Sequence, residues 1–214
     1  MDLFTAVEAF TQIITYVMIV AGIPSCIRML RTKVTTGVPY PFFLAGCVNS
    51  VMAIGYGILV DNKTVIEINL FATFCNVFYI GAFIYSSQSK SLPVSQLLGC
   101  SFFVFGTYFY VTRLANQDYV MDTIGMILLF CSSVLLLTPL LQVKECIEKK
   151  NTDSLTLTMM IPGSLCCGAW ATYGVLLKDF YIYGPNILGL TSYICQAIAM
   201  LVYGGGRQKS EHTD

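Results

Sequence analysis

Long uncharged stretches separated by short charged connectors dominate the pattern of this chain. Marking every Asp, Glu, Lys and Arg leaves seven uncharged stretches of at least 19 residues. A transmembrane helix needs about 20 consecutive, mostly apolar residues. The pattern therefore predicts an all-α membrane protein with seven transmembrane helices and no room for a soluble domain. The uncharged stretches are 9–27, 34–60, 68–89, 91–112, 123–143, 154–177 and 180–206.

Composition points to the same class of protein. The 214 residues are 56% hydrophobic and 11% charged, whereas a soluble domain carries about 25% charged residues. The 12 Lys and Arg residues balance the 12 Asp and Glu residues, so the formal net charge is zero. Such a chain has no excess of basic side chains to neutralise phosphates, which argues against a nucleic-acid partner. The partner it requires is the lipid bilayer.

Basic residues are distributed unevenly between alternate connectors. One side of the predicted membrane holds nine Lys and Arg residues and the other side holds three. Because basic connectors stay in the cytosol, we expect the N-terminus outside, or in a lumen, and the C-terminus in the cytosol. The first ten residues contain no basic residue, so the first span is expected to be retained rather than cleaved as a signal peptide. The three outer basic residues are Lys63, Arg113 and Lys178.

Residue types that support catalysis or metal binding are sparse. The single histidine, His212, lies near the C-terminus, which argues against histidine-based triads and zinc motifs. The nine cysteines include no C-x-x-C pair, and small apolar packing is the interpretation they favour. We therefore expect no catalytic residue, no metal site and no cofactor, and we do not expect an enzyme.

The chain repeats itself at an offset of 117 residues. Seven identities fall within 37 compared positions, where about two are expected from typical residue frequencies. Both copies read Tyr-Gly, then a short polar connector, then an Asn thirteen residues after the Tyr. The repeat predicts two parallel three-helix units, 1–89 and 117–206, joined by a linker helix within 90–116 and followed by a cytosolic tail, 207–214. Parallel repeats of this kind occur in transporters, whose substrate site lies between the halves.

Asn69 and Asn186 are the strongest candidates for substrate contact. A carboxamide is costly in hydrocarbon unless it is paired, and its two donors and one acceptor suit neutral hydroxyl groups. Their equivalent positions in the two repeats favour a shared site over the alternative, which is hydrogen bonding between helices. Trp170, the only tryptophan, falls within the sixth span, and its repeat equivalent is Ala53. An aromatic wall facing a small one fits a sugar ring, whereas packing or an interfacial position is the alternative for Trp170.

Prolines near the span ends are candidate hinges. Pro24 and Pro139 lie toward the predicted cytosolic ends of spans 1 and 5, and Pro39 and Pro41 open span 2. Proline removes a backbone hydrogen bond and bends a helix, so these positions can absorb the bending of a transport cycle. The alternative for Pro39 and Pro41 is the ordinary preference of proline for helix starts.

Two carboxylates, Glu67 and Asp122, lie about one turn inside the outer ends of spans 3 and 5. Carboxylates inside a membrane are candidate proton relays. Both can reach the outer aqueous boundary, and neither has a buried basic partner in the sequence pattern. A proton-coupled mechanism is therefore the alternative rather than the leading hypothesis.

The sequence resembles the SWEET sugar transporters, a family related to PQ-loop proteins, over about residues 5–205. The motifs are G-V-P-Y-P-F at 37–42, Y-G-I-L…I-N at 56–69, T-P-L at 138–140 and W-A-T-Y-G…K-D…P-N at 170–186. The resemblance implies that Asn69 and Asn186 bind sugar hydroxyls and that Trp170 packs on the ring. It also implies an outer gate at Tyr56 and Asp179. For the inner hinge and gate it implies Pro24, Pro39 or Pro41, and Pro139, while Thr156 occupies the fourth proline position.

The function that these features predict is a uniporter that lets mono- or disaccharides equilibrate across a membrane by alternating access. A proton-coupled PQ-loop-type exporter of small metabolites is the alternative, and a seven-helix receptor fits less well because it would have no internal repeat. The resemblance suggests assembly into homo-oligomers. The plasma membrane is the expected location, with the Golgi or another endomembrane as the alternative.

Overall fold

A computed structural model of the chain describes residues 2–36, 38, 40–114, 116–155 and 157–204. Within these ranges every regular element is a helix. The helices are α1 Leu3–Val20, α2 Ile23–Thr32, α3 Tyr40–Leu59, α4 Lys63–Ser86, α5 Ser91–Val111, α6 Gln117–Leu136, α7 Pro139–Lys149, α8 Leu157–Leu177 and α9 Phe180–Tyr203.

Two pairs of these helices are the halves of single broken spans. Helices α1 and α2 together form the span Leu3–Thr32, and α6 and α7 together form Gln117–Lys149. Counted in this way, the described residues contain seven helical segments that are long and apolar enough to cross a membrane. Large apolar side chains point away from the protein interior, as at Phe102, which is 83% exposed. The prediction of an all-α protein with seven transmembrane helices is confirmed.

The uncharged stretches gave the wrong bounds for spans 1 and 5. Helix α1 begins at Leu3 rather than near residue 9, and the Asp2 carboxylate caps it by accepting the Thr5 N–H at 2.9 Å. Hydrogen bonds from Thr5 hold the pKa of Asp2 below its ordinary value. Helix α6 begins at Gln117, so Asp118 occupies its first turn and Asp122 lies in its second. Charged residues are tolerated at these ends because their side chains reach water, and acidic ones favour a helix N-terminus.

In each broken span the second helix has a proline in its first two positions and is followed by a lysine in the left-handed backbone conformation. Pro24 stands in the first two positions of α2, and Pro139 in the first two of α7. A proline is tolerated there because the first N–H groups of a helix have no partner within it. The residues that cap the C-terminal ends of α2 and α7 are Lys33, with φ 58°, and Lys150, with φ 52°. These two lysines are equivalent at the offset of 117.

The connectors α3–α4 and α8–α9 are built alike. Each contains a non-glycine residue with positive φ, Asp61 at 50° and Lys178 at 58°. The next residue caps the following helix, because Asn62 accepts the Val65 N–H and Asp179 accepts the Tyr181 N–H, both at 3.0 Å. The residues of each pair again stand 117 positions apart.

The structure divides into two compact units, which we call the central unit, Thr15–Cys131, and the terminal unit, Met1–Ile14 with Ser132–Asp214. In the central unit α3 packs on α4, α2 packs on α4, and α5 packs on α3. In the terminal unit α8 packs on α9, and α7 packs on α9. The boundaries at 14/15 and 131/132 fall inside helices and follow packing, so the division 1–89, 90–116 and 117–206 stays a prediction.

Helix α5, the predicted linker, is tied to α3 at two levels. Near its start the Tyr40 hydroxyl donates to the Pro93 carbonyl at 2.7 Å. Near its end the Tyr108 hydroxyl donates to the Val51 carbonyl at 2.9 Å. Both bonds pair a hydroxyl with a main-chain oxygen of another helix, which removes the cost of leaving either group unpaired in hydrocarbon.

Candidate functional site

Asn69 lies on α4 and keeps part of its hydrogen-bonding capacity unused. Its side-chain amide donates to the Val65 carbonyl, one turn earlier on the same helix, at 2.8 Å. The side chain is half-buried. A carboxamide offers two N–H donors and an oxygen with two lone pairs. The bond to Val65 therefore leaves one N–H and the oxygen of Asn69 for another partner.

Asn186 repeats this arrangement on α9. Its side-chain amide donates to the Ile182 carbonyl at 2.7 Å, and the side chain is half-buried as well. Pro185, which precedes it, is fully buried within the helix. Both asparagines are the seventh residue of their helix, about 9 Å from its start at 1.5 Å per residue. The two carboxamides thus stand at the same distance from the start of their own helices and make the same own-helix bond.

Trp170 lies on α8 at the level of Asn186. The level follows from the hairpin, in which a Cβ added to Gly174 would lie 2.7 Å from the Tyr183 backbone nitrogen. Trp170 lies one turn before Gly174 on α8, and Asn186 lies one turn after Tyr183 on α9. Trp170 and Asn186 therefore stand at the same level along the hairpin. The half-buried indole packs edge-to-face on Tyr173, with ring centroids 5.8 Å apart. Tyr173 is 1% exposed and holds the indole against a fixed surface.

The equivalent place in the central unit has a smaller side chain. A Cβ on Gly57 would lie 3.0 Å from the Ile66 side chain, so Ala53 stands at the level of Asn69 by the same argument. Ala53 is buried. An indole thus stands at the level of Asn186 and a buried methyl group at the level of Asn69, and their role in a shared site stays a prediction.

The predicted gate residues have well-defined local surroundings. Tyr56, on the last turns of α3, is 3% exposed. Asp179 is half-buried and caps α9 through its bond to the Tyr181 N–H. Tyr56 and Asp179 both interact with neighbouring residues. Their joint role as an outer gate stays a prediction.

The predicted hinge prolines lie at helix starts. Pro24 is exposed and Pro139 is half-buried, and both stand where their span is interrupted. Pro41 is exposed and is the second residue of α3. Pro39 and Thr156 lie outside the described residues.

Two residues at the breaks were not singled out from the sequence. Tyr79 on α4 and Gln196 on α9 are buried, and each donates a hydrogen bond to a main-chain carbonyl at the break of the neighbouring span. The signal that would have found them is the offset of 117 that separates them. The 37 compared positions end at Asn69 and Asn186, and identity would not match a phenol with an amide beyond them.

Metal-binding and acidic groups are dispersed. No group of three or more His, Cys, Asp or Glu residues able to hold a metal ion occurs in the described part of the chain. The nine cysteines are free thiols. Glu67 and Asp122 are both exposed.

Comparison with known proteins identifies the family. The family model described as "Sugar efflux transporter for intercellular exchange" matches residues 6–91 and, separately, 122–208. The chain is 29% identical to "Sugar transporter SWEET1" of Mus musculus, over 81% of this chain and 79% of that protein. It is 25% identical to "Bidirectional sugar transporter SWEET10" of Arabidopsis thaliana, over 90% of this chain and 68% of that protein.

A solved structure has the same fold. It is titled "The 3.7 A resolution structure of a eukaryotic SWEET transporter" and superposes with a TM-score of 0.83 at 20% identity, covering 94% of this chain and 97% of that one. The family model matches most of the chain in two segments, which fall on the broken span and hairpin of each half. The chain therefore belongs to the SWEET family, the family described as sugar efflux transporters for intercellular exchange.

Proposed function

We propose that this protein is a bidirectional uniporter that lets mono- or disaccharides equilibrate across a membrane by alternating access. The observation that carries the proposal is the matched pair Asn69 and Asn186. Each is half-buried in a membrane-spanning helix and, among the described residues, uses one side-chain N–H in a bond to its own helix, while the other N–H and the oxygen remain for a ligand. Groups of this kind are expensive in hydrocarbon unless a polar ligand or water uses them.

A sugar matches the chemistry of these side chains. Each hydroxyl group both donates and accepts a hydrogen bond, and a carboxamide can serve both functions at once. The apolar C–H face of a sugar ring packs well on an aromatic ring, which is the role we assign to Trp170. Tyr173, packed against the indole, fixes its orientation and thereby lowers the entropy lost on binding.

Gating in this proposal uses the remaining predicted residues. Tyr56 and Asp179 close the outer mouth, while Pro24 and Pro139, with Pro39 or Pro41, allow the opposite ends of their spans to bend. The interruptions of the helices at Pro24 and Pro139 support a bending role, because the backbone there lacks continuous hydrogen bonding.

The test is uptake of labelled glucose, fructose, galactose and sucrose by proteoliposomes containing the wild-type chain, Asn69→Ala or Asn186→Ala. We expect each substitution to weaken sugar affinity by about 5- to 150-fold, since a buried hydrogen bond to a polar ligand contributes about 1–3 kcal/mol. Thr191→Ala is the matched control, because Thr191 also bonds a carbonyl of its own helix, at 3.0 Å, but is exposed. Wild-type transport by both asparagine variants would place the sugar site elsewhere.

We also propose a plasma-membrane location with the N-terminus outside, and assembly into homo-oligomers. The orientation rests on the nine basic residues of one side against three of the other. An epitope at the N-terminus that antibodies reach in intact cells, with a C-terminal epitope that they do not reach, is the expected result. Size-exclusion chromatography with light scattering in detergent tests the assembly.

A further inference from the structure

Tyr79 ties α4 to the break in the first span. Its hydroxyl donates to the Ile19 carbonyl, at the end of α1, at 2.9 Å. The side chain is 3% exposed. Its ring lies against Gly22, where an added Cβ would come within 2.9 Å of the aromatic carbons. The glycine thus leaves the space that lets the ring reach the interrupted backbone.

Gln196 makes the corresponding tie in the terminal unit. Its Nε2 donates to the Pro139 carbonyl, at the start of α7, at 3.2 Å. The same nitrogen donates to Oε1 of Gln142, one turn into α7, at 2.7 Å. Gln196 is 1% exposed. It stands 117 residues after Tyr79, on the equivalent helix.

These bonds bring side-chain donors to the backbone beside the breaks. In hydrocarbon a carbonyl without a partner costs several kcal/mol, and helix breaks are tolerated where neighbouring helices supply donors. Tyr79 reaches Ile19, near the end of α1, whereas Gln196 reaches Pro139, the first residue of α7. The common feature of Tyr79 and Gln196 is therefore a donor directed at the backbone beside a break, rather than the chemical type of the side chain.

The side chain of Gln196 uses its nitrogen but not its oxygen in hydrogen bonds with the described residues. Its amide nitrogen is fully used, whereas its Oε1 is buried and has no hydrogen-bond partner among the described residues. A buried acceptor without a partner carries a desolvation penalty. That penalty offsets part of the stabilisation that the two hydrogen bonds of the amide nitrogen give.

We propose that Tyr79 and Gln196 are hinge anchors: positioning residues that hold α2 and α7 at the breaks and so set the equilibrium between the conformations of the transport cycle. This inference rests on the proposed transport function and deepens it. The prolines create the breaks, and the anchors determine how firmly each break is held. Neither residue needs to touch the sugar.

The anchors differ from other tyrosines in the same chain that bond across helices. Tyr40 and Tyr108 also donate to carbonyls of other helices, at 2.7 and 2.9 Å. Their partners, Pro93 and Val51, lie within unbroken helices. Removing those hydroxyl groups should cost stability without changing a hinge.

The experiment compares Tyr79→Phe and Gln196→Leu with the control variants Tyr40→Phe and Tyr108→Phe in proteoliposomes. A bond held in one conformation and lost in the other shifts their equilibrium by about 2- to 10-fold. We expect the ratio of net sugar efflux to equilibrium sugar exchange to change by that factor in the anchor variants. Sugar binding at equilibrium should stay near wild type in all four. Equal changes in Tyr108→Phe, or wild-type ratios in both anchor variants, would overturn the proposal.

Hydrogen exchange followed by mass spectrometry gives a readout that does not depend on transport. Tyr79→Phe should speed amide exchange in α2, and Gln196→Leu should do so in α7, each by about 2- to 10-fold. Tyr40→Phe should leave both helices protected. If wild-type protein moves none of the sugars, the proposed function fails while these exchange rates still decide whether the anchors exist. If Gln196→Leu does not fold, Gln142→Leu removes the side-chain partner on α7 instead.

Discussion

Gly57 and Gly174 occupy equivalent positions at the last turn of α3 and α8, but their surroundings differ. At Gly174 an added Cβ would lie 2.7 Å from the backbone nitrogen of Tyr183. At Gly57 the nearest atoms belong to the side chains of Ile66 and Val65, at 3.0 and 3.1 Å. A side chain can rotate away, whereas the backbone of a capped helix start cannot.

Gly174→Ala should therefore destabilise the protein by about 1–3 kcal/mol, as overpacking does, and Gly57→Ala by less. Thermal unfolding in detergent measures the difference, with the wild type as reference. We expect the melting temperature of Gly174→Ala to be lower than that of Gly57→Ala. Equal melting temperatures for the two variants would show that the backbone of Tyr183 adjusts as easily as a side chain.

Asp179 combines a structural role with a predicted gating role, and the two can be separated. Its carboxylate caps α9 through the Tyr181 N–H, and loss of a cap costs about 1 kcal/mol. Asparagine caps a helix as well as aspartate does but carries no charge. Asp179→Asn should therefore keep the stability of the wild type, slow the transport cycle and leave equilibrium sugar binding unchanged.

The matched control is Asn62→Ala, which removes the equivalent cap of α4. Asn62→Ala should lower the melting temperature. Its transport rate per folded protein should equal that of the wild type. Flux measurements and sugar binding by calorimetry give the two quantities. Parallel losses of binding and flux in Asp179→Asn would place Asp179 in the sugar site rather than at a gate.

The candidate site could be predicted where a residue type was unusual in its surroundings. Asn69 and Asn186 are polar residues in apolar stretches and are identical across the repeat, so the sequence indicates them directly. Tyr79 and Gln196 differ in type, and a tyrosine in a membrane helix is common by itself. Their role depends on a carbonyl about 60 positions away, a relation that only the packing of helices creates.

At the scale of elements, the broken spans predict how the prolines act. Pro24→Ala restores an N–H at the start of α2, and Pro139→Ala does so at α7, so each span gains the means to continue as one helix. We expect slower sugar flux with unchanged binding. The cost in stability should stay within about 1 kcal/mol, because proline in a compatible position contributes about that much through the unfolded chain.

Pro93→Ala is the control for this pair, since Pro93 also stands in the first turn of a helix, α5, that has no break. Its flux should equal that of the wild type. Flux and binding measured on the same preparations distinguish the outcomes. If Pro24→Ala and Pro139→Ala transport as fast as Pro93→Ala, the interruptions are fixed bends rather than hinges.

The number and class of the spans followed from the sequence, while their ends and breaks did not. Seven uncharged stretches predict seven spans because a charged side chain is costly in hydrocarbon and therefore rare there. Helix ends are different, since α1 and α6 continue past Glu8 and Asp118 into the interface, where charge is tolerated. The break between α6 and α7 falls at Leu137 and Thr138, and only the following Pro139 hints at it.

At the scale of the whole molecule, the arrangement of charge bears on the energy source of transport. In the first two turns of the membrane-spanning segments the acidic residues are Glu8, Glu67, Asp118 and Asp122. Coupling to protons needs a titratable group that senses the substrate. Glu67 is exposed and lies two residues before Asn69, so its side chain points about 200° around the helix from that carboxamide.

We therefore predict that a pH gradient does not drive transport. In proteoliposomes with an imposed gradient, labelled sugar should reach the same concentration inside and outside, and Glu67→Gln and Asp122→Asn should leave the rate unchanged. Both carboxylates are exposed and lie within the first two turns of their helices, α4 and α6. Accumulation of sugar above the outside concentration that disappears in Glu67→Gln or Asp122→Asn would contradict the uniporter and identify that carboxylate as the coupling group.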